Sequence, residues 1–313
     1  MTTMHEPSAI DQGGALRGRA LLVALTGGAE AAAAARVAAT LVNARECEVV
    51  VIRAYTPEPA ILPYLRTSAW APSPVQEIVM TARLDLERAT NGTSRWPVLV
   101  SPGAPGQLIA TTARDLDAAL ILMGLHPRGA VQRAFGLETA LRVLRHTDRP
   151  VLATTATLQS IPKRILVGVD FGRAGLRAAR AALALLADDG TLDLAFVDRP
   201  PYPLSDEGEG DDIIHRQGVA AAFDRLRAEL AAPANVTVTT SVLDGVPSVA
   251  LRELAERTGA EVIAVGSRRH GLIDRMLLGS VTEDLMHDGR WSLLVVPCRP
   301  NDVRWQGRPR PMA

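Results

Sequence analysis

The chain has 313 residues, too many for one ordinary domain and suited to two of about 150 each. Hydrophobic residues make up 47% and charged residues 22%, a globular composition, while aromatics are only 4%, so the cores must be built from Ala, Val, Leu and Ile. Lys+Arg and Asp+Glu are both 34, and this zero net charge argues against nucleic acid as the main partner, which would require a basic face. No stretch has the apolar length that spans a bilayer, so no membrane role is expected. Residues 1–16 lack a basic start followed by an apolar core, so they do not read as a signal peptide, and a cytoplasmic protein is expected. The two cysteines, Cys47 and Cys298, form no ligand cluster and read as buried free thiols; a bridge between the halves is the sharper alternative.

In chain order, Ala20–Leu25 is a short apolar run, the mark of a strand covered on both faces, and an Ala-rich helix follows over 29–43. A second strand lies at Val49–Ile52, and residues 56–76 hold several prolines. A helix at about 77–91 and a strand at 96–101 come next, and the turn Gly103-Ala104-Pro105 opens another helix. Leu120–Met123 is the fourth strand. A helix over 138–146 and a strand over 150–154 complete the first unit.

After a linker at about 155–163 the order begins again. Ile165–Asp170 is followed by a helix over 173–187, in which Leu176, Ala179, Leu183 and Leu186 recur at helical spacing while Arg173, Arg177 and Arg180 face away. A strand at Leu192–Val197 leads into residues 200–212, whose acidic run reads as a solvated loop rather than a metal site. A helix at 212–231, a strand at 236–243, the turn Gly245-Val246-Pro247 and a strand at Val262–Val265 follow. A helix over 280–288 and a strand over 293–297 end the unit. The tail, 301–313, is polar and expected to be disordered.

The later parts of the two units superpose at an offset of 142 residues. Strands alternating with helices predict, in each unit, a five-stranded parallel sheet with helices on both faces. In such a sheet ligands bind beyond the carboxyl ends of the strands, where the connections reverse direction. In the second unit that region holds Asp170-Phe171-Gly172 and the loop from Gly266 to Ser280. Gly266 would let a ligand approach the backbone. Ser280-Val281-Thr282-Glu283 fits a capping box, so Gly279 and Ser280 should open a helix whose N-terminal amides suit phosphate. Arg268 and Arg269 could add positive charge. Ordinary turn and cap chemistry explains the same residues without a ligand.

The second half, through Asp170, Gly245-Val246-Pro247 and the stretch VGSRRHGLIDRMLLGSVTEDLM closing on LLVVP, resembles a universal stress protein domain. The first half resembles the same family through Gly103, Pro105, Gly124 and VLRHTDRPVL. The chain is thus similar to tandem universal stress proteins, with domains at 17–155 and 162–299 and a Rossmann-like fold of the adenine nucleotide alpha hydrolase type. The resemblance implies a non-enzymatic stress-response protein. ATP-binding members carry Gly, two residues, Gly, nine residues, then Gly and Ser or Thr. Gly266, Gly279 and Ser280 match that pattern, and Arg269 stands at its middle glycine, where it either blocks the cleft or adds charge. Asp170 matches an implied nucleoside contact, and Val197 an implied adenine contact.

In the first unit Thr26 replaces the aspartate, Pro127 the middle glycine, and Leu137-Glu138 the Gly-Ser pair, so only the second unit is expected to bind ATP. Pro127 removes an amide and Glu138 sets a negative charge against phosphate. Pairing through the fifth strands is implied, giving a homodimer or an intramolecular pseudo-dimer. A nucleotide-free interaction protein is the alternative reading, and weak ATP hydrolysis using Asp170 is a third. His126 and His270 read as surface loop residues, with no Ser-Asp arrangement beside them. Thr26-Gly27-Gly28 lacks the residues a pyrophosphate loop would need.

Overall fold

The computed structural model describes residues 16–56, 73–125, 134–198, 209–267 and 279–297. The proline-rich stretch after the second strand, most of the acidic run, Cys298 and the tail lie outside them. The first half runs β1 (Ala20–Ala24), α1 (Gly28–Arg45), β2 (Glu48–Tyr55), α2 (Pro74–Ala89), β3 (Val98–Pro102), α3 (Pro105–Asp115), β4 (Leu120–Gly124), α4 (Ala134–His146) and β5 (Val151–Thr154). The second runs β6 (Arg164–Val169), α5 (Arg173–Leu185), β7 (Thr191–Asp198), α6 (Glu209–Leu230), β8 (Thr237–Asp244), α7 (Pro247–Thr258), β9 (Val262–Ser267), α8 (Ser280–Asp288) and β10 (Ser292–Pro297). Every predicted strand and helix is present. The largest shift is at α4, which begins at Ala134 rather than 138.

The expectation of a separate five-stranded sheet in each half is corrected. The strands form one ten-stranded sheet in the order β3-β2-β1-β4-β5-β10-β9-β6-β7-β8. Pairing is parallel within each half and antiparallel where β5 meets β10, with Leu294 opposite Leu152. The physical reason lies in the edges. Each half alone would end on a fully buried apolar strand with a row of unpaired amides and carbonyls, and each supplies the other's missing ladder. The implied pairing of fifth strands is therefore met within the chain. The Thr155 N–H donates to Ser292 Oγ at 3.0 Å across the seam. Arg45 at the end of α1 reaches the other half, donating to the Leu186 carbonyl at 2.9 Å and pairing with Asp188 at 2.6 Å.

Two apolar layers cover the faces of this sheet, and each runs unbroken through the seam. One joins β-strand residues such as Val23, Leu152, Ile165 and Leu294 to α1, α2, α5 and α6. The other joins Leu22, Val151, Leu166 and Leu293 to α3, α4, α7 and α8. Helix α5 buries Leu176 and Ala179, and Leu186 at its C-cap, as the spacing predicts, whereas Leu183 is only half-buried; Arg173 is exposed and Arg177 and Arg180 are half-buried. Among the described residues, no helix is long and apolar enough to cross a membrane.

Candidate functional site

The connections reverse direction between β1 and β4 in the first half and between β6 and β9 in the second. Register fixes what stands at these points. Gly168 of β6 lies beside Val265 of β9, and Val169 lies beside Phe196 of β7. Two residues beyond Gly168, Asp170 is therefore level with Ser267, and one residue beyond Phe196, Val197 is level with Asp170. In the first half, Ala24 lies beside Met123, which puts Thr26 level with Leu125. The structure thus aligns Thr26 with Asp170, as their places after the two opening strands implied, and Leu125 with Ser267.

Asp170 is half-buried, and its Oδ1 accepts the Gly172 N–H at 2.9 Å, closing a turn over the residue between them. That residue, Phe171, has φ 52°, in the left-handed region, which costs a bulky side chain on the order of 1–2 kcal/mol. Its ring is 1% exposed and packs against Phe196 and Phe223, with centroids at 4.7 and 4.9 Å. The equivalent first-half residue is Gly27, with φ 88°. There the hydroxyl of Thr26 is buried without a hydrogen-bond partner among the described residues.

Gly266 closes the far side of the switch point. A Cβ on it would lie 2.6 Å from the Ala174 carbonyl oxygen in the first turn of α5. Gly124 meets the Ala31 amide nitrogen of α1 at 2.7 Å in the same way. These glycines let a helix press onto a strand, and that role requires no ligand.

Helix α8 starts differently from the expected capping box. Gly279 is the N-cap, with φ −58° and ψ 144°, and no side chain caps the helix. Ser280 is instead the exposed first helical residue, so its hydroxyl cannot bond back as a cap would. Among the described residues the first-turn amides of α8 have no side-chain cap, and the helix dipole adds partial positive charge there. Glu283 in that turn opposes this charge, and Arg145 of α4 lies 3.9 Å from its carboxylate. The first half has no such start. Helix α4 begins a turn earlier, Leu137 is 8% exposed inside it, and Glu138 pairs with Arg142 at 2.6 Å. Where α8 opens without a described side-chain cap, α4 is already wound.

Asp170, Val197 and Gly266 are thus gathered at the carboxyl edge of β6, β7 and β9, and Gly279 and Ser280 begin the helix that follows β9. Arg268, Arg269, His126, His270 and Pro127 lie outside the described residues. Sequence reasoning missed Phe171, although three of the chain's four phenylalanines meet around it, and it missed Ser267, buried where the first half has Leu125. It also missed the contact between Asp198 at the end of β7 and His215 of α6, at 2.6 Å.

A universal stress protein of Methanocaldococcus jannaschii is 27% identical over 144 residues, covering 44% of this chain and 84% of the relative. A universal stress protein from Archaeoglobus fulgidus is similar in structure with a TM-score of 0.58 and 18% identity, covering 90% of this chain and 98% of the other. A protein of unknown function from Pseudomonas aeruginosa is similar with a TM-score of 0.62 and 16% identity, over 90% and 94% of the two chains. The two structural likenesses show the fold alone. The profile of the universal stress protein family matches twice, over residues 18–155 and 162–297. With both halves matched, and with one strand order repeated about an antiparallel seam, the chain belongs to the universal stress protein family in a tandem form.

Proposed function

We propose that the protein is a non-enzymatic, stress-response binding module, and that its second half holds an adenine nucleotide, ATP, while its first half does not. The observations that support this reading are the start of α8 at Gly279 without a side-chain cap and the half-buried Asp170 at the carboxyl end of β6; that the two share one site is part of the proposal. Bare first-turn amides fit a phosphate group, and a half-buried carboxylate level with Val197 fits the nucleoside. Gly279 and Ser280 would hold the phosphates, with Arg268 and Arg269 as further cations, and Asp170 and Val197 the nucleoside. Bound nucleotide supplies no chemistry in this reading; it favours one arrangement of the loops around it. The domain limits 17–155 and 162–299 and a cytoplasmic location go with this proposal.

The test is calorimetric titration of ATP into the full chain and a Gly279→Val variant. No described atom lies within 4 Å of a Cβ at Gly279, so the loss of stability should be limited to that of a poorer N-cap, about 1 kcal/mol. ATP affinity should fall by at least about tenfold, through lost approach to the amides. Unchanged affinity would remove Gly279 from the site.

A nucleotide-free scaffold is the second reading, favoured by one observation: helix packing alone accounts for Gly266, as it does for Gly124. Absence of any thermal shift with millimolar ATP would decide for it. Hydrolysis ranks last, because the Asp170 carboxylate is engaged by its own turn. Turnover lost in Asp170→Asn would reverse that ranking.

A further inference from the structure

Helix α6 touches the nucleoside side of the site twice, each time through the residue that follows a candidate contact. Phe171 follows Asp170, and its ring meets Phe223 of α6 edge-on at 4.9 Å. Asp198 follows Val197, and its Oδ2 lies 2.6 Å from Nε2 of His215, two turns earlier on the same helix. The left-handed backbone at Phe171 brings the Gly172 amide back onto Asp170, and a bulky residue keeps that conformation only where its surroundings hold it. Phe196 and Phe223 supply that hold from β7 and α6.

The first half lacks this device. Gly27 takes the same position without side-chain packing, and the strand residue that matches Phe196 is Arg53, tied to α2 by Asp85 at 3.1 Å. The aromatic wedge therefore occurs in the half that keeps the aspartate and is missing from the half that has lost it.

We infer that α6 is a clamp on the nucleoside side of the second half's site, with Phe171, Phe223 and His215 as positioning residues for Asp170 and Val197. This rests on reading that half as the nucleotide-binding one. Turning or lifting α6 would release both attachments together, so the acid and the β7 end respond as a unit.

The test uses the full chain as wild type, Phe171→Gly, Asp170→Asn and the double variant. In ligand-free protein followed by NMR, Phe171→Gly should speed hydrogen exchange of the Gly172 amide by at least about tenfold, while exchange in β9 stays as in wild type. ATP should bind Phe171→Gly about tenfold more weakly, and adding the same change to Asp170→Asn should cost less than about twofold, the signature of coupled neighbours. His215→Ala should weaken ATP by about threefold and speed exchange in the first turns of α6. Should the glycine variant fail to fold, Phe171→Leu keeps most of the buried volume and should speed Gly172 exchange by about threefold. Unchanged Gly172 exchange in whichever variant folds, or an equal loss of ATP affinity with and without Asp170, would overturn the clamp. If wild type binds no ATP, the nucleotide reading falls, and the Gly172 exchange alone still decides the clamp.

Discussion

The two halves share a strand order, a switch point and a glycine under the first helix, yet they differ after the first strand and at the start of the last helix. The second half has Asp170 in a closed turn, buried Ser267 and a helix that starts at Gly279 with no side-chain cap among the described residues. The first has a Thr26 hydroxyl without a partner among the described residues, buried Leu125 and a helix wound through the corresponding position. Both halves still bury their helices and strands in the same two layers. The lesson is that packing and site chemistry are separable in this fold. Gly124 and Gly266 belong to the packing, which both halves keep, and Asp170 and Gly279 belong to the part that differs.

The sharpest way to break this comparison is at the shared glycines. Gly124→Val and Gly266→Val each force a side chain into helix backbone at 2.6–2.7 Å, so each should lower stability by about 3 kcal/mol or more in chemical denaturation. A Gly266 variant that kept full stability would return that residue to the site and out of the scaffold. Next come the two residues that follow the first strands. Asp170→Ala removes a charged acceptor from the Gly172 amide and should cost about 1 kcal/mol at this half-exposed position. Thr26→Val removes a buried hydroxyl without a described partner and should be neutral or stabilising by up to about 1 kcal/mol. Equal losses at the two positions would show that the first half's turn also depends on its polar group.

The smallest effect concerns Cys47, which is buried and whose thiol reaches the Leu16 carbonyl at 3.1 Å. Burial pushes its pKa up from 9.0 to about 11, against a smaller lowering by Arg45. The folded thiol should thus alkylate far more slowly at pH 8 than the same thiol in denaturant. The unfolded chain ionises first, so this group's contribution to stability is intact below pH 9 and lost as pH rises through about 11. A Cys47→Ala variant should show a flatter alkaline stability curve in this window, and an unchanged curve would remove the thiol from the account.

Much of the site was legible because it is local. Position after the opening strand paired Thr26 with Asp170, and the order of runs and breaks located every strand. Other features escaped because they depend on partners far away in the chain. Ser280 reads as a cap from its neighbours, but Gly279 takes the cap and Ser280 becomes the first helical residue. The run before Glu138 holds Gly136, which reads as a break, yet α4 winds through it.

Strand and helix identity, the duplication and the loss of the aspartate from one half follow from the sequence by itself, since periodicity, turn residues and residue type are properties of short segments. Only the tertiary structure decided that β5 and β10 merge the halves into one sheet, that Phe171 sits in a left-handed turn, and that α6 grips two strand ends. Those depend on edges finding partners and on rings separated by up to 52 residues meeting in one place, and no local pattern encodes such meetings.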